Sequence, residues 1–530
     1  MVLSAAAALS ACNDSGPVFL APPAIVGTPV IAMSANPRTP LAATLSLSTD
    51  VPTRVTLRVS DGVNRWNIDY RAAATEHHLP VRGLHPGKSH TFSVTLRTAT
   101  SAITAGLNEI LTPPPLPASF PALDITLHDG ARLEPGFTLF VPISSEPHVV
   151  AVDTFGEVAW FLALDQAQAA HLKQLDNGNL IFVQQECRII EVNLEGDVVN
   201  AWDTDRTGTL ACTDAIPGSI PLGIQSAHHE IFEMPSGNLL TLSRDDVAGV
   251  NYPNSHDTNA GTSIQTIRED VIVEFSPDGT IVRELHIADV LDPTRIGYDS
   301  VGNANDWTHG NAVVYDPRDD SYIYSARHQD AVFKLSREDG ELEWILGTPG
   351  GWIEPWFSRV LIPTNFGAAE YSWHQHAPEI TPDGTIMLFD NGNYRARPYA
   401  PKLPATQNYS RAVEYAVDEA TLQVTELWEY GSPATSADGD YAPFLGDADV
   451  LPLTRNVLIT FGGITRRTDT GLATDQLAEV ARNARIVEVT HNDFPEKLLE
   501  IYCGTIDYSD GQDCYVYRAE HIASLVPEFQ

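Results

Sequence analysis

Histidine residues take matching places in three separate stretches of the sequence. His376 lies upstream of the turn Pro382-Asp383-Gly384 and a short apolar run, and His374 stands two residues before it. Aligned on the turn glycines that follow, His229 and His309 fall at the place of His376. Histidine changes its charge near neutral pH, so it suits acid, base and nucleophile roles. A single histidine is most often a surface residue or a packed core residue. Three histidines that point into one shared channel of the fold favour a catalytic site.

Two polar residues near His309 add groups that can bind an anion. Asn311 follows His309 by two residues, so on a strand both side chains face the same way. Arg327 lies across the next turn, at the end of an apolar strand. An arginine there is usually a solvated edge residue, whereas beside a histidine and an asparagine its planar guanidinium suits an oxyanion.

These residues belong to a segment that repeats. A short apolar unit of the Val-x-Val type occurs six times, and most copies precede a turn and a strand with Trp or Leu. The copies are Val150–Val152, Ile190–Val192, Val273–Phe275, Val332–Leu335, Val413–Tyr415 and Val487–Val489. Radial repetition of four antiparallel strands is typical of a β-propeller, here with about six blades, whose first strands line a central channel. The remaining first strands offer His171, Asp447 or Asp449, and Arg518 to that channel.

The two ends of the repeating segment predict how the ring closes. The first copy lacks its innermost strand, and the C-terminal residues Cys514–Ala519 can supply it. Helical periodicity is nearly absent apart from short pieces such as Thr474–Asn483, which supports an all-β fold.

An alternating segment precedes the repeats. From about Pro22 to Thr112 apolar and polar residues alternate, and Pro113–Pro117 follows as a stiff linker. The sequence therefore predicts an all-β chain in three parts. Residues 1–19 are a signal and tether, residues 20–118 a small fibronectin-III-like β-sandwich, and residues 119–530 a six-bladed β-propeller.

The composition excludes two classes of partner. The 530 residues include 32 Lys and Arg against 69 Asp and Glu, for a formal net charge of −37. Such a charge repels nucleic acid and anionic membrane surfaces, so neither is an expected partner. An anionic substrate would need a local cluster of basic groups.

The first twelve residues resemble a bacterial lipoprotein signal, because a run of small apolar residues ends in Leu9-Ser10-Ala11-Cys12. The resemblance implies acylation of Cys12 and a periplasmic, membrane-anchored protein of a Gram-negative bacterium. The remaining cysteines are Cys187, Cys212, Cys503 and Cys514. An even number in an exported chain favours disulfides, and of the three pairings we expect Cys187–Cys212 and Cys503–Cys514, which close short loops.

Several motifs together resemble one family of bacterial enzymes. They are Asp306-Trp-Thr-His-Gly-Asn-Ala-Val313, Tyr324-Ser-Ala-Arg-His-Gln329, Glu343-Trp-Ile-Leu-Gly347, Trp373-His-Gln-His376 and Phe389-Asp-Asn-Gly392. In these stretches the chain is similar to the bacterial arylsulfate sulfotransferases, which are periplasmic six-bladed propellers with an N-terminal β-sandwich. The resemblance implies transfer of a sulfuryl group from a phenolic sulfate donor to a phenol acceptor through a sulfated histidine. It implies neither a nucleotide sulfate donor nor a metal or other cofactor.

The resemblance also implies roles for particular residues. His376 would be the nucleophile, and Arg327 would be the anion clamp. His309 and Asn311 would belong to the sulfate site. His229 would take the position of a further active-site histidine, although His228 adjoins it. We expect Tyr517, Arg518 and His374 near the substrate. The family has a hydroxyl side chain near the closing strand, where this chain has Tyr515 or Tyr517 instead of threonine. It also has a disulfide beside its active site, which no cysteine pair near His376 matches.

Two other functions stay open from the sequence. A metal-dependent propeller hydrolase of the lactonase kind would need carboxylate or histidine ligands, and Asp447, Asp449 and Glu230 are candidates. A lipid-anchored binding scaffold would need no such cluster of histidines and arginine. The oligomeric state is open as well, with a homodimer as one alternative.

Overall fold

A computed structural model describes residues 22–144, 147–164, 169–205, 212, 216–257, 259–367, 370–436, 440–475, 480–504 and 513–526. The predicted signal with Cys12 lies outside the described residues, so the lipid anchor stays a prediction. Nearly all regular structure is β-strand, which confirms the all-β prediction. The helices are single turns at Ile287–Val290, Asn303–Asn305, Arg327–Gln329, Phe357–Arg359 and Ala405–Gln407. In the described part of the chain, no helix has the length and apolar character needed to cross a membrane.

The N-terminal residues form one five-stranded antiparallel sheet. Its strands are β1 (Ile25–Met33), β2 (Ala43–Ser60), β3 (Arg65–Val81), β4 (His90–Arg97) and β5 (Ala102–Leu111). Strand β2 pairs with β3 on one edge and with β1 and then β4 on the other. Every second residue of β2 except Val51 is buried, and residues of both its halves share one core, so the sheet folds over on itself. The fibronectin-III-like topology and the domain boundaries stay predictions.

Six further sheets follow, with strands numbered in chain order. The first contains β7 (Phe137–Ile143), β8 (His148–Asp153) and β9 (Val158–Ala163) with β32 (Tyr515–Ile522). The second contains β10 (Ala169–Gln174), β11 (Leu180–Gln184), β12 (Arg188–Val192), β13 (Val198–Thr204) and β14 (Ile220–Leu222). The third contains β15 (His228–Glu233), β16 (Leu239–Pro253), β17 (Thr262–Phe275) and β18 (Ile281–His286).

The remaining three sheets complete the series. The fourth contains β19 (Gly310–Asp316), β20 (Ser321–Ala326), β21 (Ala331–Ser336) and β22 (Leu342–Gly347). The fifth contains β23 (Ile362–Pro363), β24 (His376–Ile380), β25 (Ile386–Asp390), β26 (Arg411–Asp418) and β27 (Gln423–Tyr430). The sixth contains β28 (Asp447–Val450), β29 (Val457–Arg467), β30 (Val480–Val489), β31 (Lys497–Cys503) and β6 (Leu123–Leu127).

The sheets form a closed ring. Their first strands β32, β10, β15, β19, β24 and β28 contact one another in that cyclic order. All six Val-x-Val units lie on the third strands, and the residues of each unit are buried on both faces between neighbouring sheets. The repeat therefore marks one equivalent strand in each blade of a propeller-like fold.

Both ends of the repeating segment help to close the ring. Strand β32 pairs with β7, as expected for the C-terminal segment, and β6 pairs with β31 at the outer edge of the last sheet. Disulfides join Cys503 to Cys514 and Cys187 to Cys212, which confirms both expected pairings. The short helical piece expected over Thr474–Asn483 is wrong at its C-terminal end, because β30 begins at Val480 and pairs with β29.

Register shifts interrupt five of the six first strands near their starts. They fall between Ala170 and Lys173, His228 and Ile231, Gly310 and Ala312, His376 and Glu379, and Val516 and Ala519. Such bulges bend a strand and redirect its side chains, often beside active sites. His171, His229 and His309 also have positive φ angles, an uncommon and strained conformation for residues other than glycine.

Candidate active site

A cavity of about 590 Å³ lies where several first strands begin. Its lining includes four residues predicted from the sequence: His229, His309, Arg327 and His376. They come from the third, fourth and fifth sheets, so the fold brings together side chains that are far apart in the chain. We call this space the main cavity.

The hydrogen bonds of His376 fix its tautomer. Its Nδ1 lies 2.5 Å from Oδ1 of Asn391, and the amide nitrogen of Asn391 donates to the carbonyl oxygens of Ala442 and Leu445 at 2.7 Å each. The Asn391 oxygen can therefore only accept, so Nδ1 of His376 carries the proton and Nε2 keeps its lone pair. Burial and the charge of Arg327 lower the pKa of His376 well below its ordinary value. His376 is thus a neutral imidazole with a free Nε2.

Arg327 supplies positive charge to the main cavity. Its Nη2 donates to the carbonyl oxygen of Pro443 at 3.0 Å, and its Nη1 lies 3.8 Å from Oδ2 of Asp299. Its backbone N–H donates to the carbonyl oxygen of His309 at 3.3 Å, which ties the two residues together. The side chain is 11% exposed, so its field acts in a largely desolvated space.

Asp306 holds two histidines of the cavity wall. Its Oδ2 lies 2.6 Å from Nδ1 of His309, and its carbonyl oxygen accepts a hydrogen bond from Nδ1 of His328 at 2.6 Å. The two rings stack with centroids 4.5 Å apart. Burial and the charge of His309 lower the pKa of His328. Asp306 therefore orients both rings of this part of the wall.

His229, and not the adjacent His228, lines the main cavity. Its ring centroid lies 5.0 Å from that of His309, and its Nδ1 lies 2.9 Å from Nδ1 of His228. Burial and the neighbouring His228 lower the pKa of His229 well below its ordinary value. Of the two adjacent histidines that the sequence offers for this position, His229 is therefore the one that lines the cavity.

Two predicted residues support the site from behind the cavity wall. Asn311 is fully buried and donates from Nδ2 to the carbonyl oxygen of Gln375 at 2.7 Å, next to His376. Arg518 donates to Oε2 of Glu230 at 2.7 Å and to the carbonyl oxygen of Asn311 at 3.1 Å. These contacts hold the first strands together.

His374 also lies behind the wall. Its Nδ1 is 2.8 Å from Oδ1 of Asp330 and its Nε2 is 3.2 Å from Oδ2 of Asp299. Burial lowers the pKa of His374, but the Asp330 carboxylate outweighs this, so the net shift is upward. His374 thus acts on the cavity through Asp299.

Sequence reasoning missed the residues that loops between strands contribute to the main cavity. They are Tyr298, Asp299, Val301, Asn393, Tyr394, Pro443, Phe444, Leu445 and Asp475. The rings of Tyr298 and Tyr394 lie 5.4 Å apart, and Nζ of Lys402 lies 3.5 Å from the Tyr394 ring centroid. Burial opposes ionisation of Asp299, but His374 and Arg327 lower its pKa. These residues lie outside the repeated pattern of strands and turns. The only sequence signal for them is that some lie close to the histidine motifs.

A smaller cavity of about 190 Å³ shares His229 with the main cavity; we call it the side cavity. Tyr517 and His171 line it, with ring centroids 3.7 Å apart. Tyr517, and not Tyr515, therefore approaches the site from the closing strand. Gln185 and Glu186, which also line this cavity, directly precede the disulfide-bonded Cys187. Cys187, and with it the Cys187–Cys212 disulfide, thus follows directly after two residues that line the side cavity.

One group of carboxylate and histidine side chains bears on the hydrolase alternative, because it could hold a metal. Asp306, His309 and His328 each offer a ligand atom within 4.8 Å of the others. Among the described residues, Asp447, Asp449 and Glu230 do not form such a group. The metal ligands expected from the sequence are therefore not brought together there.

Comparison with known proteins identifies relatives. A sequence model of the arylsulfotransferase (ASST) family matches residues 126–498. Arylsulfate sulfotransferase AssT of Escherichia coli is 28% identical over 399 residues, which cover 66% of this chain and 63% of that protein. AssT of Lelliottia amnigena is 28% identical over 340 residues, covering 55% and 54%. The match thus spans less than two thirds of the length of each of these relatives.

Solved structures of propeller domains are also similar to the chain. The WD40 β-propeller domain of Doa1 shares 9% identity, covers 81% of this chain and 89% of its own, and has a TM-score of 0.31. The Cps50 (Swd1) β-propeller domain of Myceliophteria thermophila shares 10% identity over 72% and 95%, with a TM-score of 0.30. TM-scores this low support no conclusion about this chain. The ring of sheets is supported by the contacts between its own strands. The family match covers more than half of the chain, which therefore belongs to the arylsulfotransferase (ASST) family.

Proposed function

We propose that the protein is an arylsulfate sulfotransferase that moves a sulfuryl group from a phenolic sulfate ester to an acceptor phenol. The transfer proceeds in two steps through a sulfated His376 and uses no nucleotide sulfate donor. The observation that carries this proposal is the neutral, buried imidazole of His376, whose free Nε2 shares one cavity with the Arg327 guanidinium. Family membership supports sulfuryl transfer in general.

The first step sulfates His376. The Nε2 lone pair forms a bond to sulfur while the bond between sulfur and the aryl oxygen breaks, and its electron pair leaves with the phenolate. Asn391 keeps the proton on Nδ1, so Nε2 stays available to attack. The sulfated ring then carries substituents on both nitrogens and a positive charge, which makes it a good leaving group for the second step.

The second step transfers the sulfuryl group to the acceptor. The acceptor phenol loses its proton to a cavity histidine, its oxygen attacks sulfur, and the bond from sulfur to Nε2 breaks. His376 returns to its neutral form with Nδ1 still protonated. Splitting the exchange in this way requires one cavity to bind donor and acceptor in turn.

Charge stabilisation falls to Arg327 and His309. Sulfuryl transfer resembles phosphoryl transfer in having a loose, in-line transition state, so catalysis consists mainly of positioning and electrostatics. Arg327 can donate hydrogen bonds to the sulfuryl oxygens, and His309, whose ring is oriented by Asp306, lies in the same cavity to contact them. Asn311 contributes by holding the backbone beside His376.

Aromatic side chains of the main cavity suit an aryl substrate. Tyr298, Tyr394 and Phe444 line the same space as His376 and Arg327. Aromatic rings prefer offset or edge-to-face contacts with one another, and such pairs gain about 0.5–1.5 kcal/mol beyond area burial. A phenolic ring placed there would present its sulfate group to the histidines.

The direct experiment mixes purified protein with 4-nitrophenyl sulfate and a second phenol, without metal or nucleotide. We expect release of 4-nitrophenol that depends on the second phenol, together with formation of the sulfate ester of that phenol. Release of free sulfate alone, at a rate independent of the phenol, would contradict the proposal.

A metal-dependent hydrolase is the second candidate, favoured by the grouping of Asp306, His309 and His328. Two imidazoles and a carboxylate with an open position are typical ligands of catalytic zinc. Exhaustive chelation separates the candidates. Transfer that survives chelation supports the sulfotransferase, whereas hydrolysis that is lost and then restored by Zn²⁺ supports the hydrolase.

We further propose that the protein is exported and anchored through an acylated Cys12. The two disulfides support an oxidising compartment such as the periplasm. Labelling of cells with a fatty-acid analogue should mark the wild-type protein and not Cys12→Ala. Equal labelling of both would contradict the anchor.

A further inference from the structure

Arg295 differs from the other buried arginines of the described residues in having no carboxylate partner. Six arginines in that part of the chain are buried: Arg82, Arg188, Arg295, Arg411, Arg485 and Arg518. The other five form ion pairs with Asp or Glu side chains. Burial strips a charge of its water, so a buried cation is costly unless an anion neutralises it. Arg295 is thus a buried cation that no side chain of the described residues neutralises.

The contacts that Arg295 does make are all with neutral groups. Its Nη1 donates to the carbonyl oxygen and to Oε1 of Gln329, each at 2.8 Å, and its Nη2 lies 3.5 Å from the carbonyl oxygen of Gly350. Its guanidinium lies 4.0 Å from the ring centroid of Trp352. Within the described residues, Nε of Arg295 and Nε1 of Trp352 are buried and have no hydrogen-bond partner. Two buried N–H donors therefore remain for a further acceptor.

A second arginine meets Arg295 at Gly350. A Cβ on Gly350 would lie 3.4 Å from Nη1 of Arg397, and a Cβ on Gly351 would collide with Nη2 of the same side chain. The one hydrogen bond of the Arg397 guanidinium to a described residue is a long one, to the Thr348 hydroxyl at 3.5 Å. Burial and the charge of Arg397 lower the pKa of Arg295. The two cations therefore repel each other across an exposed turn.

The carboxylates that face this pair of arginines are bound to other groups. Asp330 and Asp292 act on the pair through their charge alone. Oδ1 of Asp330 accepts from the backbone N–H of His374 at 3.0 Å and lies 2.8 Å from its Nδ1. Oδ1 of Asp292 accepts from the backbone N–H and the hydroxyl of Thr294 at 2.9 and 2.7 Å. The pair of arginines is therefore left without a direct anionic partner among the described residues.

We propose that Arg295 and Arg397 bind a tetrahedral oxyanion, sulfate or phosphate, at the turn of Gly350 and Gly351, with the indole N–H of Trp352 as a further donor. Planar guanidinium groups suit such an anion, because charge-assisted hydrogen bonds from two of them can share its oxygens. Gly350 and Gly351 are exposed, so the anion can arrive from solvent. None of these residues lines the main cavity, so this site is separate from the one proposed for sulfuryl transfer.

The bound anion would join two loops that line the main cavity. Arg295 lies on the loop that precedes β19, which also gives Tyr298 and Asp299 to that cavity. Arg397 lies on the loop between β25 and β26, which also gives Tyr394. The hydroxyl of Tyr394 lies 3.3 Å from Oδ1 of Asp299, so the two loops already meet at the cavity wall. An oxyanion between the arginines would hold the same two loops together from behind.

The test measures stabilisation by inorganic oxyanions. Purified protein in sodium chloride is titrated with sodium sulfate, or with sodium phosphate, at constant ionic strength. We expect the melting temperature to rise and then level off, as for a ligand that binds only the folded protein. Arg397→Met should weaken the apparent affinity about tenfold or more, because a hydrogen bond to a charged group contributes at least that factor. Trp352→Phe keeps an aromatic ring beside Arg295 and should weaken the affinity by a smaller factor.

Two control variants assign the anion to this site. Sulfate can also bind beside Arg327 in the main cavity, so Arg327→Met removes that contribution and should keep the stabilisation by sulfate. Arg359→Ala removes an exposed arginine that pairs with Glu341 and should respond to sulfate like the wild type. Melting curves without sulfate show whether each variant is folded.

Two further measurements locate the anion directly. In crystals grown with selenate, anomalous scattering should place selenium between Arg295 and Arg397. Addition of sulfate should slow hydrogen exchange in the loop that precedes β19 and in the loop between β25 and β26. The slowing should occur in the wild type and in Arg327→Met, and it should be absent from Arg397→Met.

Each other outcome would overturn the site. Stabilisation by sulfate no greater than that by chloride at the same ionic strength would do so. Stabilisation that is kept in Arg397→Met and lost in Arg327→Met would assign the anion to the main cavity instead. Neither result depends on turnover. A protein that binds sulfate at the arginine pair but transfers no sulfuryl group would contradict the proposed function and leave this inference standing.

Discussion

At the scale of single residues, the site depends on which nitrogen of His376 carries a proton. The amide of Asn391 decides this, since its own nitrogen is committed to two carbonyl oxygens. In the proposed reaction, a His376 nucleophile held neutral by burial would need no base of its own to attack sulfur. The same burial would be costly for a cationic ring, which keeps the resting site in its reactive form.

Replacement of the amide of Asn391 by a carboxylate should change the pH dependence of the reaction. Burial and Arg327 lower the pKa of His376. The acid limb that His376 causes in the kcat/KM profile should therefore lie below pH 6.5, which is about the pKa of an unperturbed histidine. In Asn391→Asp the added negative charge favours the imidazolium, so the acid limb should move to higher pH. An unmoved limb would show that His376 is not the group that must be neutral.

Removal of the guanidinium should weaken transition-state binding. Loss of one oxyanion donor typically costs about 10² to 10³ in rate, so we expect Arg327→Ala to lose at least that much in kcat/KM for 4-nitrophenyl sulfate. Arg359→Ala is a suitable control, since Arg359 forms an exposed pair with Glu341 and should retain full activity. Arg327→Ala activity close to wild type would contradict the anion clamp.

At the scale of elements, the first strands carry the site because their starts are bulged. The sequence predicted which strands matter, since the Val-x-Val repeat and the turn glycines give each blade the same frame. It could not predict that His229, Asn311 and Tyr517 lie within register shifts, because a bulge depends on how the neighbouring strand pairs.

Other features of the site depend on tertiary contacts that no local sequence pattern predicts. Asp299 and Tyr394 enter the main cavity from loops outside the repeat. The sequence predicts His374 near the substrate, yet its ring faces Asp330 and Asp299 instead of the cavity. Proximity in sequence to His376 was therefore a weaker guide than position on a first strand.

Arg518 should matter for stability through the strands that it joins. It lies on β32, is 6% exposed, and contacts Glu230 on β15 and Asn311 on β19. Removal of one partner of a buried pair costs about 3–5 kcal/mol, so Arg518→Met should be strongly destabilised in chemical denaturation. The double variant Arg518→Met with Glu230→Leu should recover part of the loss. Equal stability of Arg518→Met and wild type would contradict this role.

At the scale of the whole molecule, strands from both ends of the propeller segment take part in closing the ring. Strand β6 completes the last sheet and β32 completes the first, so the ring is interlocked at two places. The N-terminal sheet contacts the propeller through several polar bonds, including that between His85 and Asp153. A rigid ring of this kind can hold groups from separate blades in fixed relative positions.

The contact through His85 should make stability depend on pH. His85 is fully buried, with Nδ1 2.8 Å from Asp61 and Nε2 2.8 Å from Asp153. Burial lowers the pKa of His85, but the two carboxylates outweigh it and raise the pKa. A group whose pKa rises on folding stabilises the protein below its unfolded value of about 6.5, and that stabilisation is lost as pH passes the raised folded value.

Melting temperatures of wild type and His85→Gln across neutral and alkaline pH test this. The wild type should melt well above the variant near pH 6, and the gap should narrow as the pH rises. Hydrogen bonds outweigh burial and lower the pKa of Asp61. The contribution of Asp61 to the stability of the fold should therefore be lost on acidification, in contrast to that of His85. A gap that stays constant across the whole range would show that His85 is not charged in the folded protein.

The most direct test of the central claim is to trap the sulfated enzyme. Wild-type protein is mixed with 4-nitrophenyl sulfate without acceptor, quenched rapidly under alkaline conditions, digested and analysed by mass spectrometry. The account predicts one added sulfuryl group on His376, its disappearance on addition of phenol, and no label in His376→Asn, which should remain folded. Full turnover by His376→Asn, or a label on another residue that phenol discharges at the catalytic rate, would contradict the account.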